Sequence, residues 1–355
     1  MNKTRVGVVG TGWRAQFFLR ILHALEDRFE VVGVVCRGAE ALEQACAWGE
    51  NAVGTHEAMV DLAPDYVLLC VDRENAGPLM RWYGARDIPL LVETFPAKDE
   101  EELRGLYGDL NGAPIQFAEQ YMHQPLHAAR IACAQSGLLG DAYQVQTSIP
   151  NGYHAVAVQR KLLGVGRKCP VIRANQYAHA MLNGPGRGGD PTEDALVTAN
   201  QVLFQLDYGS CQAINDVEDN QHRSFFRTQH FVLRGTRGEI REQSVLYMRD
   251  IVTPCHFQLE RVVAGGGPNL EGLFLRGVRG GGEGWYYRNP FMPARLADDE
   301  IASATCLVQM AEYVRGGPSF YPLAEELMDM YLTLMIDRAI EAGTKVAVPP
   351  QPWTE

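Results

Sequence analysis

The chain is poor in several features that announce common protein classes. Its eight cysteines, at 36, 46, 70, 133, 169, 211, 255 and 306, include no C-x-x-C pair. Neither a zinc knuckle nor a disulfide framework is expected, only free and mostly buried thiols. Positive charge is scarce. With 32 Lys and Arg against 43 Asp and Glu, a formal net charge of -11, the chain lacks the cation excess on which binding to a phosphate backbone depends, so no nucleic-acid partner is expected. The apolar runs are strand-length and broken by Gly and Arg, so neither a signal peptide nor a membrane span is expected, and the protein reads as cytoplasmic. No His, Asp or Glu set has ligand-like spacing, so no metal is expected. There is no internal repeat.

What is present is an ordinary globular composition, 46% hydrophobic and 21% charged over 355 residues, a length that allows about two domains. The stretch that organises the chain is Arg5 to Leu22, RVGVVGTGWRAQFFLRIL. Val6, Val8 and Val9 read as a buried strand, Gly10 as a sharp turn, and Gly12 as the point where a pyrophosphate approaches backbone amides at the positive end of the next helix. Ala15 takes the third place of the G-x-G-x-x-G/A fingerprint, small enough for helix and strand to touch. Thr11, Trp13 and Arg14 complete the turn and the first helical residues.

Strand and helix signals then alternate. Strands are expected at 30–36, 65–71, 88–93 and 115–119, and helices at 39–48, 56–62, 75–85 and 100–110. Such alternation requires parallel pairing with right-handed crossovers, a doubly wound Rossmann sheet whose ligand crevice lies at the carboxyl ends of its strands. Gly10, Cys36, Val71, Asp72 and Glu93 are expected to converge there. Beyond residue 120 the pattern changes. A helix at 125–136, a strand at 142–149 and a helix at 154–163 lead into strands at 195–206, 211–216, 230–234, 240–242 and 244–249, and two helices, 298–314 and 323–342, close the chain. The expected architecture is α/β: a Rossmann domain over 1–120, then an α+β domain over 121–355 with a large, mostly antiparallel sheet, its C-terminal helix free to pack back on the first domain. The glycine-rich Gly265 to Gly284 reads as a mobile loop or loose hairpin.

Several segments carry a family likeness. VETFPAKDEEEL (Val92 to Leu103), QYMHQPLHAARIACAQSGLLGDAYQV (Gln120 to Val145), HFVLRGTRGEI (His230 to Ile240) and YPLAEELMDMYLTLMIDRAIEAGTKVAVP (Tyr321 to Pro349) together resemble the Gfo/Idh/MocA family of NAD(P)-dependent oxidoreductases, which act mostly on sugars, inositols and related polyols. The resemblance implies a nicotinamide cofactor, a small carbohydrate-like substrate, and a homodimer or homotetramer. It also implies nicotinamide contacts from Gln120. Two departures stand out. Thr94 occupies the place of the lysine in the family's E-K-P segment, giving a hydroxyl where the family has a positive charge. In Pro150 to Ala157, PNGYHAVA, which matches the family's D-x-G-x-H-x-x-D, Gly152 and His154 survive and both aspartates are gone.

His154 is therefore the expected acid or base, a role that contributes roughly a hundredfold to ten-thousandfold when well placed. Tyr153 precedes it and either lines the same site or packs in a core. Lys161, two helical turns on, either replaces the charge lost at Thr94 or is a solvated surface lysine. His179, in QYAHAMLNG, matches no family position.

The end of the second strand carries no carboxylate. A site for NAD usually places Asp or Glu there to hold the ribose hydroxyls, whereas this chain has Cys36 and Arg37. A guanidinium pairs with a 2'-phosphate as a planar fork, which favours NADP over NAD. The expected activity is hydride transfer between nicotinamide and a sugar, inositol, polyol or keto-sugar. Two other activities fit the same residues: a dinucleotide-binding sensor or regulator without turnover, and a glycosidase that uses NAD transiently.

Overall fold

The computed structural model describes residues 3–93, 97–186, 188–219, 221–282 and 284–354. They form two compact units, Met1–Pro125 with Val262–Gly277 and Arg288–Leu327, and Leu126–Arg261 with Val278–Tyr287 and Met328–Glu355. This differs from a single cut after residue 120, because later segments return to the first unit. Among them is α8 (Asp298–Tyr313), whose Leu307 carbonyl accepts from the buried Tyr66 hydroxyl at 3.3 Å and whose Glu300 pairs with Arg20 at 2.7 Å.

In chain order the first unit opens with β1 (Thr4–Val9), α1 (Trp13–Ala24), β2 (Phe29–Val35), α2 (Ala39–Ala47), β3 (Ala52–Val53), α3 (His56–Asp61), β4 (Tyr66–Leu69), α4 (Arg73–Gly84), β5 (Leu90–Val92), α5 (Glu100–Leu110) and β6 (Ile115–Phe117). The strands pair in the order β3-β2-β1-β4-β5-β6, all parallel. That is the doubly wound order whose crevice lies beside β1. Because helices cover both faces, the central strands are continuous apolar runs rather than alternating ones. Val6, Val8, Leu68, Leu69, Leu90 and Leu91 have no exposed surface, and burying each such side chain contributes about 1.5–3 kcal/mol.

α5 shows how local chemistry sets a boundary. Asp99 accepts from the Glu102 amide at 2.9 Å, Glu102 accepts in return from the Lys98 amide, and Glu100, Glu101 and Glu102 place negative charge on the positive end of the helix dipole. Leu103, Leu106 and Leu110 then form its buried stripe.

The second unit begins with α6 (Pro125–Gln135), β7 (Ala142–Thr147) and α7 (Gly152–Leu163), and continues through β8 (Val171–Leu182), β9 (Leu196–Asp207), β10 (Gln212–Glu218), β11 (Phe231–Gly235), β12 (Gly238–Arg241), β13 (Ser244–Met248) and β14 (Pro254–Gln258). After β15 (Glu260–Ala264), β16 (Phe274–Gly280), β17 (Gly284–Arg288), α8 and α9 (Leu323–Ala342), β18 (Val346–Ala347) completes a nine-stranded sheet, β14-β13-β12-β11-β7-β10-β9-β8-β18. Its one parallel pair is β7 with β10; the other neighbours are antiparallel. One face is buried through Val145, Thr147, Ala174, Phe204, Leu206, Ala213 and Asn215. The glycine-rich stretch is more ordered than its composition suggests, since β15, β16 and β17 form a three-stranded sheet.

α7 is tied to the buried face by a polar network. Gln159 donates from Nε2 to Thr147 Oγ1 at 2.8 Å and to the Ile214 carbonyl at 2.9 Å. Thr147 donates to Asn215 Oδ1 at 2.7 Å, and Asn215 exchanges hydrogen bonds with the backbone of Ile149. Buried polar groups bonded in this way fix one arrangement of the elements they join. Here that arrangement sets the turn leading into α7.

Candidate functional site

The turn after β1 is built for close approach. Gly10 has φ 115°, and a Cβ there would stand 2.1 Å from the Cys70 carbonyl oxygen, so only glycine fits. Gly12 caps α1 with no side chain bonded to the helix amides and no acidic residue in the first turn. A Cβ on Gly12 would meet nothing within 4 Å. Open space over the amino end of a helix that no N-cap side chain covers is what a pyrophosphate requires, so these residues fit a dinucleotide. Ala15 is fully buried, as the third position of the fingerprint requires.

The turn opens onto a cavity of about 420 Å³ that Gly10, Thr11, Gly12, Val35, Arg37, Val71 and Asp72 help to line. Six residues expected at the cofactor therefore meet here: Gly10, Thr11, Gly12, Arg37, Val71 and Asp72. Asp72 caps α4 by accepting from the Asn75 amide at 3.0 Å, and Arg37 donates to Asn75 Oδ1 at 3.3 Å. Arg37 is exposed and stands at the cavity wall beside that neutral partner.

The remaining expected residues lie elsewhere. Cys36 is buried and its thiol donates inward to the Val34 carbonyl, with burial raising its pKa. Trp13 is half exposed, stacks on Phe17 at 5.4 Å and lines a different cavity with Gln16, Arg20 and Trp48. Arg14 donates to Glu93 at 2.5 Å and Asp299 at 3.2 Å. With the Gln120 amide turned so that its nitrogen donates to the Ala118 carbonyl, its oxygen accepts from Arg14 at 3.0 Å. Burial opposes the Arg14 charge, but Glu93 and Asp299 outweigh it and hold the guanidinium pKa above its usual value. This cluster ties the first turn of α1 to the residues that follow β5 and β6. Thr94 falls outside the described residues.

Sequence reasoning missed His56. It lines the same cavity as Gly10 and Arg37, and its Nδ1 lies 2.9 Å from the Tyr83 hydroxyl. Burial lowers its pKa first, and Arg37 lowers it further. Its place just after β3, at the carboxyl edge of the sheet, was the available signal.

In the second unit, His154 occupies the first turn of α7 and is 7% exposed. Its ring lies 4.1 Å from that of Tyr153. Asn151, before the helix, has φ 60° and ψ 115°, a strained backbone for a residue with a side chain. Lys161 is exposed at the carboxyl end of the helix, while the buried cation of α7 is Arg160, paired with Asp329 at 2.5 Å. Among the described residues no group of three or more His, Cys, Asp or Glu is arranged to hold a metal, and no helix is long and apolar enough to cross a membrane.

Residues 4–94 match the family described as oxidoreductase family, NAD-binding Rossmann fold, GFO_IDH_MocA. The N-terminal fold is that of the Gfo/Idh/MocA family. This Gfo/Idh/MocA segment contains the whole Gly10 to Asp72 wall of the cavity and is an NAD-binding domain. No curated protein matches the chain. Among solved structures, a levoglucosan dehydrogenase in complex with NADH is similar at TM-score 0.70 and 15% identity, over 99% of this chain and 100% of that one. A myo-inositol dehydrogenase from Corynebacterium glutamicum gives 0.67 and 16%, over 99% and 100%. An oxidoreductase from Agrobacterium radiobacter in complex with NAD+, L-tartaric acid and magnesium gives 0.66 and 16%, over 98% and 99%. At these identities the likeness establishes a shared fold along nearly the full length of this chain.

Proposed function

We propose that the protein is a sugar or polyol oxidoreductase that prefers NADP. The observation that carries the cofactor half of this reading is the Gly10 to Gly12 turn, which opens the amino end of α1 onto a cavity walled by Arg37. The substrate half is supported by the structural neighbours, which include inositol and levoglucosan dehydrogenases. When bound, the nicotinamide supplies a hydride donor or acceptor. The chain's own contribution is to bind and to move a proton. Gly10, Gly12 and the α1 amides receive the pyrophosphate, Arg37 receives the 2'-phosphate, and His154 holds the proton of the reacting hydroxyl.

A panel of sugars, inositols and keto-sugars assayed with NAD and NADP tests the reading. Appearance or loss of reduced nicotinamide with at least one compound is expected. Tight cofactor binding with no turnover across the panel would instead favour a sensor. Calorimetry tests the cofactor preference separately. Arg37→Ala is expected to weaken NADP binding by about tenfold to a hundredfold, the range of a charge-assisted hydrogen bond, and to leave NAD unchanged. Equal affinities in the unmodified protein, or tighter NAD, would sink the role given to Arg37.

A further inference from the structure

Arg37 and His56 are the two basic side chains that line the cavity beside the Gly10 to Gly12 turn. They come from different elements, since Arg37 follows β2 and His56 opens α3, yet they stand close enough for the Arg37 charge to bear on the imidazole. Arg37 donates one N–H to the neutral Asn75 side chain, and a guanidinium carries further N–H groups in the same plane. The imidazole is held against α4. Its Nδ1 lies 2.9 Å from the hydroxyl of Tyr83, whose ring stands perpendicular to it at 5.5 Å and is fully buried. Among the described residues Nε2, on the other edge of the ring, has no hydrogen-bond partner.

Burial, and then the Arg37 charge, lower the His56 pKa against the opposite pull of Glu57 on its own helix. The other titratable groups that touch it or share its cavity are Tyr83 on α4 and Cys70 and Asp72 after β4. Burial raises the pKa of both Tyr83 and Cys70, so neither ionises near neutral pH. Asp72 is engaged by the amide and the side chain of Asn75. The imidazole of the free protein is therefore neutral at about pH 7. An anion placed against both Arg37 and His56 reverses that balance, because it offsets the guanidinium that opposes the imidazolium and gives the imidazolium an acceptor. NADP carries two kinds of anion. The pyrophosphate suits the amino end of α1, which leaves the 2'-phosphate for this pair.

We propose that His56 is a second determinant of the NADP preference: its Nε2 meets the 2'-phosphate together with Arg37 and takes up a proton from solvent as the cofactor binds. This rests on the NADP reading of Arg37 and adds to it a dependence on pH. The ring is neutral in the free protein and charged in the complex, so NADP affinity rises as pH falls from about 8 to about 7. NAD, which has no phosphate at that ribose, shows no such slope. Near pH 6, where a phosphate monoester takes up its own proton at about that pH, the gain ends.

Titration calorimetry of the full chain with NADP and with NAD, repeated at about pH 7 in buffers of different ionisation enthalpy, reads affinity and proton exchange together. The unmodified protein is expected to take up protons with NADP and none with NAD. His56→Gln, which keeps hydrogen bonding but cannot carry the charge, should weaken NADP by about tenfold, the scale of one charge-assisted hydrogen bond. It should also abolish the proton uptake and leave NAD affinity unchanged, which shows that the cavity is intact. His56→Lys, charged throughout, should hold NADP near the unmodified affinity without proton uptake. NADP preferred over NAD with no proton uptake in the unmodified protein would overturn the proposal, and so would a preference and an uptake that both survive in His56→Gln; either result leaves the Arg37 reading standing. An unmodified protein that binds NADP no more tightly than NAD removes the 2'-phosphate reading itself, and this proposal with it.

Discussion

His154→Ala is expected to lower kcat by about two to four orders of magnitude, the contribution of a well-placed acid or base, with NADP affinity unchanged. The residue stands on the first turn of α7, buried at 7% exposure and packed against Tyr153, and the helix beneath it is fixed by the Gln159, Thr147 and Asn215 network. Such a ring is oriented by its surroundings, which is what proton transfer at a defined atom needs. The residues proposed to receive the cofactor, around Gly10 and Gly12, are a different set, so the two measurements part. His154→Gln, which keeps size and hydrogen bonding but cannot take up the proton, should be as inactive as alanine. A variant of either kind with unmodified turnover removes His154 from the reaction.

Asp329→Ala is expected to cost about 3–5 kcal/mol of stability, because it strands a buried cation. Arg160 and Asp329 have side chains 4% and 1% exposed and lie 2.5 Å apart, and Arg160 also donates to the Gly166 carbonyl at 2.8 Å. Removal of the carboxylate leaves a guanidinium in a place that water does not reach. The double variant Arg160→Met with Asp329→Leu is expected to recover most of the loss, since apolar groups of similar volume replace a buried pair at little cost. Denaturant titration of the singles and the double reads the coupling. A single variant within about 1 kcal/mol of the unmodified protein would show that solvent reaches the pair.

The first unit was legible because its strands are buried on both faces and its helices carry their own caps and stripes. β1, β2 and β4 are apolar runs bounded by Gly or polar turns, and α5, with Asp99 before it and leucines at 103, 106 and 110, was read to the residue. β8 was not legible. VIRANQYAHAML contains Ala, Gln, Leu and Met, which favour helix, and its middle, Asn175 to Ala178, is exposed on both faces, so no alternation marks it there; only pairing along the full length of β9 makes it a strand. β16 and β17 were hidden by glycine. Gly280 lies where a Cβ would stand 2.6 Å from the Phe257 ring, a close approach that composition alone reports as looseness.

The site divides in the same way. Backbone features announce themselves through residue type, so Gly10, Gly12 and Ala15 could be placed from spacing. Side-chain direction cannot be read so. Arg14 follows the fingerprint by position, yet it is claimed by Glu93 and by Asp299 from a helix nearly 300 residues on. Cys36 directly follows β2 but turns its thiol inward. His56 had no motif to mark it.

The measurement that tests the central claim most directly is isotopic. Reduced NADP deuterated at C4 is incubated with the protein and the keto-sugar or sugar pair that turns over, and the product is weighed by mass spectrometry. Hydride transfer to a substrate carbon predicts one deuterium in the product, fixed to carbon and not exchanged by water. Label that stays wholly in the cofactor while the substrate is converted would contradict the account.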